Sequence, residues 1–479
     1  MKRLGTLGLA FFLAACGPDT ATGSHNNSDG GGKGNKDGGG TVGDGGNGGG
    51  SDFATCSGLE CLVDHSCAGG AKTTLTGTVF APNGTLPLYN ATVFIPNTDL
   101  DPFTDGVTCD RCDGTVSGSP VAIALTGPDG KFTLTDVPTG TNIPLVIQMG
   151  RWRRIANVPS VTGCTTAAIP EATTRLPKNS SEGHLPKMAL VSGDADPFEC
   201  LLLKVGIDKA EITKPSDGGR IHFYLGTDDY GLDLQSKAPS ATELYKSLDS
   251  LLAYDVVLLP CEGGEYDKSR VNDKALSPNP RGLFEQYVNA GGRVFATHYS
   301  YAWLTYDQSP FNKVATPLDN GLWPVGQPDD YDNTIAADLV TTFPKGKDFA
   351  SWLQFAGATS PVNKLNIDQG RHDVTGVDPM YAQSWATYDF TPVGGGPGVM
   401  HFTFNAPLDP PKDAMGNPEY CGRVVFSDFH VTAGALVDNP TTFPSACNNG
   451  AMTDQEKALA FMLFDLSSCV QADSQPPIP

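Results

Sequence analysis

A chain of 479 residues, 39% of them hydrophobic, holds enough material for two or three domains at about 100 to 200 residues each. Its 53 acidic against 32 basic residues give a formal net charge of −21. That balance argues against nucleic acid as a partner, because phosphate binding is driven by Lys and Arg, and it suits a solvated surface outside the cytoplasm.

Lys2 and Arg3 form a positive leader, Leu4 to Leu13 an apolar run too short to cross a bilayer permanently, and Leu13-Ala-Ala-Cys16 follows. This pattern resembles a bacterial lipobox. The resemblance implies a signal peptide over 1–16, cleavage before Cys16, and lipid on Cys16 that holds the protein to a membrane of the cell envelope, the outer membrane or cell surface being favoured. Residues 17–55 are rich in Gly, Asp and Asn and have almost nothing apolar to bury, so they are expected to be a disordered tether.

Export turns the remaining cysteines toward disulfides. Of 12 in the sequence, Cys16 is set aside for lipid, and the odd remainder leaves at least one thiol outside a simple pairing. Cys56, Cys61 and Cys67 fall close together and are expected to staple a small cap over 56–71. With His65 they suggest zinc, but their spacing matches no common finger.

Residues 72–187 read as a β domain: Thr73 to Phe80, Ala91 to Pro96, Val121 to Leu125, Lys131 to Leu134 and Asn142 to Met149 are strands separated by Pro- and Gly-containing turns. The order of LTGTVFAPNG, YNATVFIPN and TGPDGKFTLTDVPTG resembles the carboxypeptidase regulatory-like, transthyretin-like sandwich, a carbohydrate-binding-like fold. An insertion, Thr98 to Ser119, carries Cys109-Asp-Arg-Cys112. A structural disulfide is the favoured reading of that pair, with metal binding and redox chemistry as alternatives disfavoured by its acidic loop. Arg151, Trp152, Arg153 and Arg154 form a basic cluster around an indole that is a candidate to stack on a sugar or a protein partner; the alternative is pairing with the chain's own carboxylates.

Residues 188–470 alternate strands with helices, and 471–479 form a tail. Met188 to Ser192, Arg220 to Leu225, Asp255 to Pro260, Arg293 to Thr297, Val399 to Phe404 and Arg423 to Asp428 are expected strands. Pro197 to Val205, Ser240 to Leu252, Arg281 to Ala290 and Thr453 to Leu466 are expected helices, Ser240 with Glu243 making a capping box. YDVVLLPCEGG followed by LFEQYVNAGGRVFATHY resembles the class I glutamine amidotransferase-like fold in its trehalose-utilisation, ThuA-like branch. The implied architecture is a transthyretin-like β-sandwich followed by a flavodoxin-like parallel α/β sheet, with 307–395 as an insertion that the resemblance leaves unexplained.

The same resemblance places His298 at the sharp elbow where amidotransferases carry a cysteine, so the chain is not expected to be a glutaminase. Nor is it expected to be a zinc carboxypeptidase, since Glu stands three residues after none of its 8 histidines. His298, Glu262, Asp428 and His430 follow strands that a parallel sheet would bring to one rim. They are a candidate divalent-metal set or acid/base group; the bland alternative is that each caps a loop, while His401 in mid-strand reads as core. Two functions remain open. The favoured one is a non-catalytic surface lipoprotein binding carbohydrate, cell-wall polymer or protein. The other is an exported hydrolase or lyase acting on a sugar-related substrate, with a metal as its only candidate cofactor.

Overall fold

Alternation of apolar and polar residues builds the first part of the molecule. The computed structural model describes residues 56–112, 116–193, 196–226, 238–262, 280–305, 309–317, 334–431, 447 and 450–478, all within one compact unit. The leader, Cys16, the tether and parts of the 307–395 insertion lie outside them. Strands β1 (Thr74–Thr78), β2 (Thr92–Pro96), β3 (Pro120–Leu125), β4 (Lys131–Thr135), β5 (Gly140–Met149), β6 (Trp152–Val161) and β7 (Thr166–Ala168) form two sheets, ordered β4-β1-β7 and β3-β2-β5-β6. Strand β4 buries Phe132 and Leu134 and exposes Lys131, Thr133 and Thr135, the pattern of a sheet with one face on a core.

Strand β6 was not expected. Its Arg-rich start hides a β-strand that pairs antiparallel with β5 from Met149↔Trp152 to Gly140↔Val161. The pairing turns Trp152 inward to 0% exposure, against Phe464, with its Nε1–H donating to Ser467 Oγ at 3.3 Å. A sugar therefore has no face of Trp152 to stack on. Arg151 pairs with Asp255 at 3.2 Å, Arg153 lies over the Phe103 ring at 4.1 Å, and Arg154 donates to the Ala172 carbonyl at 3.4 Å. The cluster is engaged within its own chain, but only Arg151 meets a carboxylate; Arg153 and Arg154 meet a ring and backbone carbonyls.

The second part follows as β8 (Met188–Val191), α1 (Phe198–Lys204), β9 (Ile212–Thr213), β10 (Ile221–Tyr224), β11 (Val256–Leu259), α2 (Pro280–Asn289), β12 (Arg293–Thr297), β13 (Ala315–Pro317), β14 (Thr334–Leu339), α3 (Pro344–Phe355), β15 (Lys364–Asp368), β16 (Val374–Val377), β17 (Ala382–Asp389), β18 (Pro397–Ala406), β19 (Gly422–Ser427) and α4 (Asp454–Ser467). Six strands, β9-β10-β8-β11-β12-β19, run parallel. Four more, β18, β17, β14 and β15, extend the sheet antiparallel. Three of these four come from the 307–395 insertion. β8, β11 and β12 are buried along their whole length, as strands covered on both faces must be. The chain is thus β followed by α/β.

One face of the large sheet packs with α1, α3 and α4 into a core continuous with that of the β domain; the other packs α2 through Leu283, Phe284, Tyr287 and Val288. Where the two parts meet, Trp352 Nε1–H donates to the Pro87 carbonyl at 2.8 Å and the Tyr89 hydroxyl to Asp348 at 2.7 Å. Gly150, at φ +51°, lies so close to α4 that a Cβ on it would stand 1.6 Å from the Ser467 carbonyl oxygen.

Two expectations need correction. The helix over Ser240 to Leu252 is broken into Thr242–Tyr245 and Leu248–Leu252, because Ser247 adopts an extended φ of −154° and caps the second piece by accepting from Ser250 N–H. Cys109 and Cys112 are both in disulfides but not with each other. The bonds are Cys56–Cys61, Cys67–Cys164, Cys109–Cys421, Cys112–Cys469 and Cys200–Cys447, so the insertion is a strap that ties the β domain to the far end of the chain.

Candidate functional site

The carboxyl ends of β11, β12 and β19 lie side by side, and each carries a chemically capable residue within a few positions. The chain leaves β8 for β10 on one side and returns to β11 on the other, so the rim near β11 lies at the point where strand order reverses, where open α/β sheets place ligands. Cys261 follows β11, His298 follows β12, and His430 follows β19. His298 takes φ +42°, a left-handed conformation that a non-glycine residue holds only under constraint. The sharp elbow expected at this position is present.

His298 Nδ1 lies 2.9 Å from His430 Nε2 and 3.1 Å from Cys261 Sγ. Its other nitrogen, Nε2, faces Asp373 Oδ2 at 3.3 Å. A carboxylate facing Nε2 favours a proton on that nitrogen, the tautomer whose Nδ1 lone pair is directed at the thiol and at His430. Asp373 is joined in turn to Asp428, whose Oδ2 accepts from the Asp373 N–H at 2.8 Å. Cys261, His298 and His430 are 0%, 5% and 3% exposed, so none of them is a surface loop cap.

Burial sets the protonation of this group. It lowers His298 well below the ordinary imidazole value, helped by His430 and Arg371, and lowers His430 to about 3. Both rings are neutral at neutral pH. Burial also raises Asp428, to about 6.

The backbones of the three residues are laced together by one carboxylate. Asp196 Oδ2 accepts from Thr297 Oγ1 at 2.5 Å, Thr297 Oγ1 accepts from Cys261 N–H at 3.0 Å, and Asp196 Oδ1 accepts from Val431 N–H at 2.8 Å. Gln455, in the first turn of α4, donates to the His430 carbonyl at 2.9 Å. Burial pushes Asp196 up to about 7.

Of the residues expected at the rim, the structure brings together His298, His430 and, through Asp373, Asp428. Glu262 goes elsewhere: its Oε2 lies 2.8 Å from where a Cβ on Gly226 would stand, on the β8–β10 side of β11 and not the β12 side. His401 is core, with Nδ1 at 2.6 Å from Ser427 Oγ. Cys261, Asp373 and Asp196 were missed. The odd cysteine count was a usable signal for Cys261: the ten cysteines of the five disulfides leave it as the remaining thiol beyond Cys16. No local pattern marks Asp373, which precedes β16, or Asp196, which lies in the loop after β8.

Two groups among the described residues have metal-ligand geometry. In Asp64, Cys67 and Cys164 the two sulfurs are bonded to each other; in Cys261, His298 and His430 all three donor atoms remain, within 4.8 Å of one another. Only the second offers thiol and imidazole donors together.

No family model matches the chain, and no curated protein matches it. Among solved structures it is similar to a cytoplasmic protein from Salmonella typhimurium, at 12% identity and a TM-score of 0.31 over 59% of this chain and 98% of that one. It is also similar to a ThuA-like protein from Bacteroides uniformis, at 12% identity and a TM-score of 0.30 over 58% of this chain and 90% of that one. A chain of a type II cohesin–X-dockerin complex from Acetivibrio cellulolyticus matches at 17% identity and a TM-score of 0.15 over 30% of this chain and 78% of that one. Scores of this size say nothing about the chemistry of the rim.

Proposed function

We propose that this protein is an exported, lipid-anchored enzyme of the cell envelope, a ThuA-like hydrolase or lyase whose reacting centre is the strand-end cluster of His298, His430 and Cys261. One observation carries the reading: two neutral imidazoles meet at 2.9 Å on the rim, one of them oriented from behind by a carboxylate. A neutral imidazole positioned in this way offers a lone pair, either to a proton from water or substrate or to a metal ion that would acidify bound water, and Asp428, poised near pH 6, can return a proton through its partner Asp373. The sugar-related substrate class comes from the resemblance of the β11 to β12 stretch, and the lipid from the Leu13-Ala-Ala-Cys16 pattern.

The burial of all three side chains favours a second reading, in which the rim is a structural centre and the protein binds a carbohydrate, cell-wall polymer or protein without turnover. Hydrolysis of a panel of p-nitrophenyl glycosides and acyl esters separates the two. The enzymatic reading expects turnover on at least one substrate, lowered about 10²- to 10⁴-fold by His430→Ala with the melting transition still cooperative. Absence of turnover across the panel, with binding of a polysaccharide retained, selects the second reading. Anchoring is checked by incorporation of labelled fatty acid, which Cys16→Ser is to abolish.

A further inference from the structure

We propose that Cys261 Sγ, His298 Nδ1 and His430 Nε2 are the protein ligands of one divalent first-row transition ion of the zinc class. The site deepens the reading of the rim as a reacting centre, and depends on that reading only for the ion's part in turnover.

The geometry is close to what such an ion requires. Zinc binds sulfur at about 2.3 Å and imidazole nitrogen at about 2.0 to 2.1 Å, which sets tetrahedral ligand atoms about 3.3 to 3.6 Å apart. Here Sγ and Nδ1 are 3.1 Å apart and Nδ1 and Nε2 2.9 Å apart. These two separations need open by only about 0.3 to 0.5 Å to admit the ion, and the third, between Sγ and Nε2, lies within 4.8 Å.

The surroundings are arranged in the same sense. Asp373 facing the far nitrogen of His298 is the carboxylate–histidine–metal arrangement that fixes a ligand's tautomer and raises its basicity. Asp196 and Thr297 tie the backbone of Cys261 to those of the residues beside His298 and His430, so the three strand ends cannot drift apart. The donors decide the ion: a thiolate with two imidazoles selects zinc, cobalt or copper, while calcium and magnesium require oxygen. Three protein ligands leave a fourth position for water, as catalytic sites do and closed structural sites do not.

Binding is a proton exchange. The Cys261 thiol gives up its proton as the sulfur–metal bond forms, and His430 presents its Nε2 lone pair by carrying its proton on Nδ1. One proton leaves per ion bound.

The test is titration of the full chain, stripped by dialysis against chelator without reductant, with Co²⁺. The expected result is one equivalent bound, with a thiolate-to-cobalt charge-transfer band and visible bands of tetrahedral intensity. Zn²⁺ is to displace it; Ca²⁺ and Mg²⁺ are not. Calorimetry in buffers of different ionisation enthalpy is to show about one proton released per ion. Cys261→Ser is to abolish the charge-transfer band, and Asp373→Asn is to weaken affinity about 10- to 100-fold while keeping it. X-ray absorption of the zinc-loaded wild type, which needs no variant to fold, is to show one sulfur and two imidazole nitrogens. Wild type that is folded by circular dichroism yet gives no band with excess Co²⁺, or a band that survives in Cys261→Ser, overturns the site. Turnover on the same samples keeps the two proposals apart: tight metal binding without turnover sinks the enzymatic reading alone, and undiminished turnover in protein that binds no metal sinks the metal site alone.

Discussion

Thr297 is the residue whose small change tests the rim most directly, because its hydroxyl donates to Asp196 and accepts from Cys261 N–H in a fully buried setting. Thr297→Val keeps the shape and removes both bonds. Leaving buried polar groups unsatisfied costs about 1 to 3 kcal/mol, so urea unfolding is expected to show a loss of that size. An unchanged midpoint would mean the rim relaxes around the missing hydroxyl. Trp152 makes the opposite case. Its indole is packed on Phe464 at 5.9 Å and closes the junction between the two parts of the molecule. Trp152→Ala is expected to cost about 3 to 5 kcal/mol by chemical denaturation, the toll of emptying a large aromatic site, with no loss of sugar binding attributable to stacking.

Elements with an unbroken pattern could be read directly from the residues. The buried runs of β11 and β12 and the apolar face of α2 stand where their periodicity put them, whereas the capping box expected at Ser240 with Glu243 does not form and one forms at Thr453 with Glu456. Thr453→Ala is expected to lower stability by about 1 kcal/mol, measurable as a shift of the melting midpoint. What failed was local signal overruled by partners distant in the chain. Strand β6 opens with arginines that look like a surface patch, and only its pairing with β5 makes it a strand. Ser240 looked like the start of one long helix, until Ser247 capped a second. The site divides in the same way. His298 and His430 follow strands, as Asp196 follows β8, so a parallel sheet brings them to one rim; Asp373 arrives by tertiary packing that no spacing announces. Glu262 had the right address but points the other way.

At the scale of the whole molecule, opposed titrations shape stability. Burial would raise Asp465, but Lys345 and Arg423 outweigh it and hold the carboxyl at about 2. Its unfolded value is about 3.9, so this contribution is complete above that pH and is lost as pH falls from about 4 toward 2. Glu199 runs the other way. Burial raises it to about 7, the folded state binds the extra proton above its unfolded value of about 4.3, and stability declines as pH rises through that window. Buried His298 and His430, held below the unfolded imidazole value of about 6.5, oppose Glu199 over the same range, so its part is read by difference: Glu199→Gln is expected to gain stability relative to wild type as pH rises from about 4 to 7, and a constant difference across that range would contradict the assignment. Reduction is a global event for the same molecule. The bonds Cys109–Cys421 and Cys112–Cys469 span 312 and 357 residues and join its two parts, so Cys109→Ser is expected to cost about 2 to 5 kcal/mol, with amide protection falling in both.

Those two bonds also bear on how the protein is made. In the export proposed above, Cys109 and Cys112 emerge long before Cys421 and Cys469 exist on the same side of the membrane, and they stand three residues apart. An oxidase that joins neighbouring cysteines as they arrive can close Cys109 onto Cys112, or Cys67 onto Cys109, and either bond is a dead end for this fold. The native connectivity therefore calls for a disulfide isomerase or for oxidation delayed until translocation is finished. Cells without that isomerase should accumulate a form in which the strap is bonded to itself and the last strand and helix are left untied.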